Sequence, residues 1–147
     1  MTTALSGIDV ANRLEQQFPA SITESGEDNL VIKSECIFDI ISFLKNTPEF
    51  DFNYLSCITA VDYLDYFEVV YFLTSLQHNH SVVVKARCYG RENLSLPSIV
   101  NLYRGAEAQE REIYDLMGIS FEGHPNMKRI FMWEGFQGHP QRKDFML

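Results

Sequence analysis

Four histidines, three cysteines and one dense run of charges are the side chains in this chain of 147 residues that could do chemistry. A metal centre needs His, Cys or carboxylate groups at offsets that a helix or a turn can bring together. His78 and His80 flank a single Asn in an expected turn, and no carboxylate or cysteine stands at a recognised ligand offset from them. Together with His124 and His139 they are read as loop residues making ordinary hydrogen bonds, and no metal site is expected. Cys36, Cys57 and Cys88 are widely spaced, odd in number and set in apolar segments, which fits reduced core thiols. Cys-x-x-Cys is absent, so an iron–sulfur cluster or zinc held by this chain alone is not expected. Gly-x-Ser-x-Gly is absent too, and Arg87 beside Cys88 is the one electropositive neighbour of a thiol. Neither glycine-rich phosphate cradle, Gly-x-Gly-x-x-Gly or Gly-x-x-x-x-Gly-Lys, occurs. Glu110 and Glu112 could pose as an acid/base pair, but two positions apart on a helix they diverge by about 200°. The expectation is a chain with no catalytic residue, cofactor or metal of its own.

The charged run lies on a predicted helix, residues 106–117, free of Pro and internal Gly, with Gly118 where a left-handed C-cap would fall. At 100° per residue Ala106, Ile113, Leu116 and Met117 form one apolar stripe, which also contains Gln109 and Glu110. A carboxylate on an apolar stripe must find a donor or shift its pKa. Glu110 therefore reads either as a structural carboxylate capping a nearby backbone segment or as a partner contact. Arg111 lies on the opposite side, within i,i+4 reach of Glu107 and Asp115.

After Gly118 the periodicity stops. Phe121, Glu122, Gly123, His124 and Pro125 are echoed fifteen residues later by Phe136, Gln137, Gly138, His139 and Pro140, and basic pairs follow each copy, Lys128 with Arg129 and Arg142 with Lys143. Proline fixes φ and keeps the preceding residue extended, while glycine permits reversals, so this stretch should turn and then run straight. Formal charge over residues 118–147 is +1, against −9 for residues 1–117. An irregular segment this long in a small domain is commonly functional. The chain is thus divided into a core, residues 1–117, and an extended partner-binding strap, residues 118–147.

The elements that must position these groups follow from periodicity. Ser6 can cap a first helix with Val10, Ala11, Leu14 and Phe18 at helical spacing, ended by Pro19. Residues 21–29 read as a polar loop, residues 30–32 as a short strand, and Ser34 as the opening of a second, nearly all-apolar helix that stops at Thr47 and Pro48. Residues 54–63, 68–76 and 81–88 are rich in Val, Ile, Tyr, Phe and Thr with short polar gaps, an antiparallel meander. Pro97 can begin a short helical turn reaching Tyr103. The predicted architecture is α+β: helices on one face of a small, mainly antiparallel sheet, followed by the irregular strap.

With 46% apolar residues, a chain this long can bury about two thirds of its unfolded surface in one domain. A formal charge of −8 argues against non-specific binding to nucleic acid or to an anionic membrane surface. Neither a signal peptide nor a transmembrane helix is expected from the apolar runs.

One block of residues carries a resemblance. Glu110, Arg111 and Glu112, then Tyr114, Asp115, Leu116, Gly118, Ile119, Phe121, Gly123, His124, Pro125, Lys128, Arg129 and Ile130, resemble the signature of the 30-kDa subunit family of respiratory complex I, the proton-pumping NADH:quinone oxidoreductase. The likeness continues upstream through Leu55 to Tyr63 and through Leu96, Pro97, Ser98 and Ile99, and downstream through Gly135 to Pro140 and Arg142 to Phe145. It covers roughly residues 30 to 145; Ala108, Phe131 and Met146 depart from the usual residue types. Many members continue beyond the position of Leu147 into an extension that wraps their partner. The resemblance implies a non-catalytic, cofactor-free subunit of the peripheral arm. It would lie on the cytoplasmic face of the membrane, against the 49-kDa-type large subunit and its iron–sulfur neighbour. The implied interface residues are Glu110, Arg111, Glu112, Tyr114, Asp115, Gly118, His124, Pro125, Lys128, Arg129, His139, Arg142 and Lys143. The equivalent subunit of a membrane-bound nickel–iron hydrogenase or of formate hydrogenlyase is similar in the same block and stays as the alternative.

Overall fold

Short β-branched and aromatic runs in the middle of the chain build a sheet, and the amphipathic segments around them cover one of its faces. A computed structural model describes residues 2–146; Leu147, the last residue of the expected strap, lies outside the described residues. In chain order the elements are β1 (Thr3–Ala4), α1 (Gly7–Gln17), β2 (Ile22–Ser25), β3 (Leu30–Ile32), α2 (Ile37–Asn46), β4 (Tyr54–Asp62), β5 (Tyr66–Ser75), β6 (His80–Tyr89), β7 (Ser95–Pro97), α3 (Ala106–Met117) and β8 (Ser120–Glu122). The main sheet runs β2-β3-β6-β5-β4, with β1 added beside β6. Its β2/β3, β5/β6 and β4/β5 pairs are antiparallel, whereas β3 and β1 run parallel to β6.

Alternation along the meander sorts the faces as expected from a period of two. Phe67, Val69, Tyr71 and Leu73 on β5 stand opposite Cys88, Ala86, Val84 and Val82 on β6, all buried. Leu14, Ile37, Ile40, Ile41 and Leu44 from α1 and α2 complete this core. On the other face Arg87 bridges Glu24 and Glu68 at 3.1 Å each, and Lys85 lies 3.4 Å from Glu68.

Local signals are honoured at the helix ends. The Ser6 hydroxyl accepts from the Asp9 N–H at the start of α1, and the chain leaves the helix at Phe18, before Pro19. Ser34 opens a 3₁₀ turn, Ser34–Cys36, that feeds α2 rather than the α-helix itself.

Two readings are corrected. Residues 21–29 are not all loop: Ile22–Ser25 pairs with β3, because Ile22 and Thr23 suit a pleat and Glu24 finds Arg87 across the sheet. Pro97 ends a strand instead of starting a turn. β7 pairs in parallel with β8, with Leu96 opposite Phe121, and the turn comes afterwards, where Leu102 and Tyr103 donate to the Ile99 carbonyl at 2.9 and 3.0 Å. Ser95, Leu96 and Pro97 carry no strand signature of their own; β7 exists because β8 lies beside it.

The far edge of the sheet, β4, is covered by α3. The Gln109 carboxamide oxygen accepts from the Ile58 N–H at 2.7 Å, and its nitrogen donates to the Gly105 carbonyl at 3.0 Å. An edge N–H that would otherwise invite another strand is thereby occupied, and α3 is fixed in register against the sheet.

Candidate docking site

Helix α3 ends where glycine allows it to. Gly118 has φ +78°, the left-handed conformation that closes a helix, and its N–H donates to the Tyr114 carbonyl at 3.0 Å. Strand β8 follows, and from Gly123 to Met146 the chain contains neither helix nor strand. It is nevertheless fastened to the body at several points.

The first fastening is Asp115, whose side chain is fully buried. One carboxylate oxygen accepts from the backbone N–H groups of Ile130, Phe131 and Met132 at 3.1, 2.6 and 2.9 Å, and the other pairs with the Arg129 guanidinium at 2.8 Å. Burial alone would raise the pKa of this carboxyl. The three N–H donors and Arg129 outweigh it, so the net shift is downward from the ordinary carboxylate value.

A second buried carboxylate holds the other end. Asp62, at the close of β4, pairs with both terminal nitrogens of Arg91 at 2.7 and 2.8 Å and accepts from the Lys143 N–H at 2.9 Å. The Arg91 pairing is the main reason its pKa falls far below the usual range. Arg91 reaches on to Asp144 at 2.9 Å.

The remaining ties use the carbonyls at the end of α3, which carry partial negative charge. Arg142 donates to the Met117 and Gly118 carbonyls and to that of Arg91, and Gln141 N–H donates to the Leu116 carbonyl at 2.9 Å. His139 Nδ1 donates to the Asp115 carbonyl at 2.9 Å. Further up the helix, Arg111 donates to the carbonyls of Lys128 and Arg129 at 3.0 and 2.8 Å. His124 accepts from the Asn126 N–H at Nδ1, which leaves Nε2 as the donor to the Glu107 carbonyl at 2.9 Å.

The residues named from sequence therefore separate into groups. Arg111, Asp115, Gly118, His124, Arg129, His139 and Arg142 come together between α3 and the segment. Glu110 does not join them: it is fully buried and accepts from the Ser98 hydroxyl at 2.6 Å and the Ile99 N–H at 2.9 Å, capping the turn after β7. Of its two readings, the structural carboxylate describes this position. Glu112, Pro125, Lys128 and Lys143 are exposed, and Tyr114 is half-buried with its ring centroid 6.4 Å from that of His139. The expected Arg111 to Asp115 pair is corrected. Arg111 keeps Glu107, at 3.7 Å, but Asp115 points inward to Arg129, because α3 buries that side of its last turn under the segment. Sequence reasoning does not single out Asp62 or Arg91 as fastenings; Asp62 stands in the matched block, but no spacing ties it to Lys143.

Burial pushes the Glu110 carboxyl up, partly offset by its two donors. A raised carboxyl pKa stabilises the fold below the unfolded value and loses that contribution as pH rises through the folded value. Glu110→Gln should accordingly flatten the decline of stability with rising pH above about pH 4.3, the ordinary Glu value. Urea titrations at a series of pH values measure this; an unchanged slope would contradict it.

The other chemistry-bearing groups are structurally engaged. His78 and His80 Nε2 lie 2.8 Å from the carbonyls of Pro48 and Phe50. Cys88 is buried, and burial raises its thiol to about 11, the wrong direction for a nucleophile. Among the described residues no three His, Cys, Asp or Glu side chains are grouped to hold a metal. No helix among them is long and apolar enough to cross a membrane.

Comparison with known proteins adds the family. Residues 30–147 match the family described as the 30-kDa subunit of respiratory-chain NADH dehydrogenase. An NADH-quinone oxidoreductase subunit of Rhizobium etli is 43% identical, over 85% of this chain and 67% of its own. Its counterpart in a Roseiflexus species, also an NADH-quinone oxidoreductase subunit, is 39% identical, over 98% of this chain and 86% of its own. A mitochondrial protein of Candida albicans, NADH dehydrogenase (ubiquinone) iron-sulfur protein 3, is 43% identical over 81% of this chain, which spans 43% of that protein. Among solved structures, a chain of the membrane-bound sulfane sulfur reductase, an archaeal respiratory membrane complex, superposes with a TM-score of 0.74 at 25% identity, covering 96% of this chain and 86% of that one. This chain belongs to the 30-kDa subunit family of respiratory-chain NADH dehydrogenase.

Proposed function

We propose that the chain is a non-catalytic subunit of the peripheral arm of an NADH:quinone oxidoreductase. In this reading it docks, through residues 118–147, on the 49-kDa-type large subunit and its iron–sulfur neighbour at the cytoplasmic face of the membrane. One observation carries the reading: two buried carboxylates, Asp62 and Asp115, hold in one shape a segment that, among the described residues, has no helix or strand beyond Glu122. A preformed surface segment binds without the entropy of ordering it at the moment of contact.

Arg111→Ala with Glu112→Ala removes the two donations to the Lys128 and Arg129 carbonyls and one exposed charge. The isolated variant should keep its far-ultraviolet spectrum, while large subunit recovered with it from native membranes should fall by about tenfold, the equivalent of ~1.4 kcal/mol. Undiminished recovery would remove the docking role of this segment.

A second reading draws on the likeness to the sulfane sulfur reductase chain and places the subunit in a related complex with another electron acceptor. The mass of the large subunit that co-purifies separates the two.

A further inference from the structure

The cations of the segment are mostly not available to a partner. Arg129 is held by Asp115, Arg142 by the end of α3, and His124 and His139 lie against carbonyls of the same helix. Lys128 and Lys143 are the ones whose side chains enter no hydrogen bond or ion pair among the described residues. Charge alone therefore leaves little for recognition.

What the segment does present is apolar. Phe131 is 60% exposed and Trp133 68%, although each could remove about 2 kcal/mol of apolar surface from water if covered. They are not loose. Asp115 grips the backbone of Ile130, Phe131 and Met132, Trp133 packs edge-on to Phe136 at 4.8 Å, Phe136 stacks on Phe145 at 6.1 Å, and the Arg129 guanidinium covers Phe136 at 5.6 Å. Beside them opens a groove of about 500 Å³ lined by Tyr114, Met127, Lys128, Arg129, Met132 and Glu134. Exposed aromatic side chains on a backbone fastened from below, next to a cleft with one unpaired cation, are the composition in which binding energy concentrates at protein interfaces.

We infer that Phe131 and Trp133 form a preorganised aromatic knuckle that seats in an apolar recess of the partner protein, whose carboxylate enters the adjoining groove to meet Lys128. This rests on the docking reading above and names what the partner must offer: an apolar pocket with an acidic rim. A protein is favoured over a lipid surface because the exposed aromatics flank a groove of about 500 Å³ that a partner side chain can enter at Lys128, a concave shape that a planar bilayer does not complement.

The test uses the full chain, tagged and expressed in its native host, with recovery of the large subunit from solubilised membranes as readout. Phe131→Ala with Trp133→Ala should lower recovery at least about thirtyfold, the scale of a hot-spot pair, and Lys128→Glu should lower it about tenfold. Trp133→Phe, which keeps an aromatic ring, should recover most of the wild-type yield, and Ile8→Ala, an exposed apolar residue on α1, should change nothing. Trp133 is the only tryptophan of the chain, so acrylamide quenching of the free chain confirms its exposure and an unchanged circular dichroism spectrum shows each variant folded. Wild-type recovery with an equal yield from the double alanine variant would overturn the knuckle while leaving docking intact. Failure of the wild-type chain to recover any large subunit would overturn both. Flotation with vesicles of equal parts phosphatidylcholine and phosphatidylglycerol is the third arm, and Trp133-dependent binding there would overturn the protein recess.

Discussion

Asp115→Ala should release the end of the chain from the body. Three backbone N–H groups, at Ile130, Phe131 and Met132, lose their common acceptor, and the Arg129 guanidinium, 18% exposed, loses its ion pair. Removing one partner of a buried charged network is destabilising by about 3–5 kcal/mol, because the other partner stays desolvated. Hydrogen exchange would show the effect locally: protection at residues 130–132 should collapse while the amides of β5 and β6 keep theirs. Undiminished protection at those three amides would mean that Asp115 does not hold the segment.

The same carboxylate sets an acid limit. Its pKa is depressed in the folded chain, as is that of Asp62. A depressed carboxyl stabilises above the unfolded value, near 3.9, and the stabilisation disappears as pH falls through the folded value. The wild-type segment should therefore remain fastened at neutral pH and come loose only in strong acid. Part of that acid dependence should vanish in Asp115→Ala, and its sign is opposite to the dependence carried by Glu110.

Gly118→Val should be the second large effect, for two separable reasons. A β-branched residue at φ +78° is strained by more than about 1 kcal/mol. A Cβ at this position would also lie 2.5 Å from Arg142 Nη2 and 2.7 Å from the ring carbon Cδ2 of His139. Pushing those side chains away breaks the His139 donation to the Asp115 carbonyl and the Arg142 cap on α3. Together the losses should reach about 2–4 kcal/mol by denaturant titration. Gly118→Asn decides which reason dominates, because Asn tolerates the left-handed conformation yet still carries a Cβ. Stability near wild type in Gly118→Asn would show that the close approach of His139 and Arg142 is not required.

Much of the body is legible in residue order. Ser6 as a cap, Gly118 as a terminator, the apolar stripe of α3 and the three strands of the meander all arise from contacts within a few residues, which spacing and side-chain type encode directly. The matched block from Glu110 to Ile130 points to the family without any structure. Strand β2 and the β7/β8 pair are not legible: unlike the all-apolar Leu30–Ile32, they mix polar residues or proline into three or four positions, and they form because a neighbouring strand lies beside them.

Sequence by itself determined an acidic α+β domain of this family, with a charged helix placed ahead of a cationic, non-repetitive end. Only the tertiary structure decided which acid does what. On the helical wheel Glu110 and Asp115 look like a core intruder and a surface partner of Arg111. In the fold both are buried, one under the turn after β7 and the other under residues 129–132. Asp62 meets the Lys143 amide across 81 positions, a pairing set by where β4 ends relative to α3. A periodic pattern records which side of an element is dry; it carries no record of which distant donor the packed chain will bring to that side, and for a desolvated carboxylate the donor decides the role.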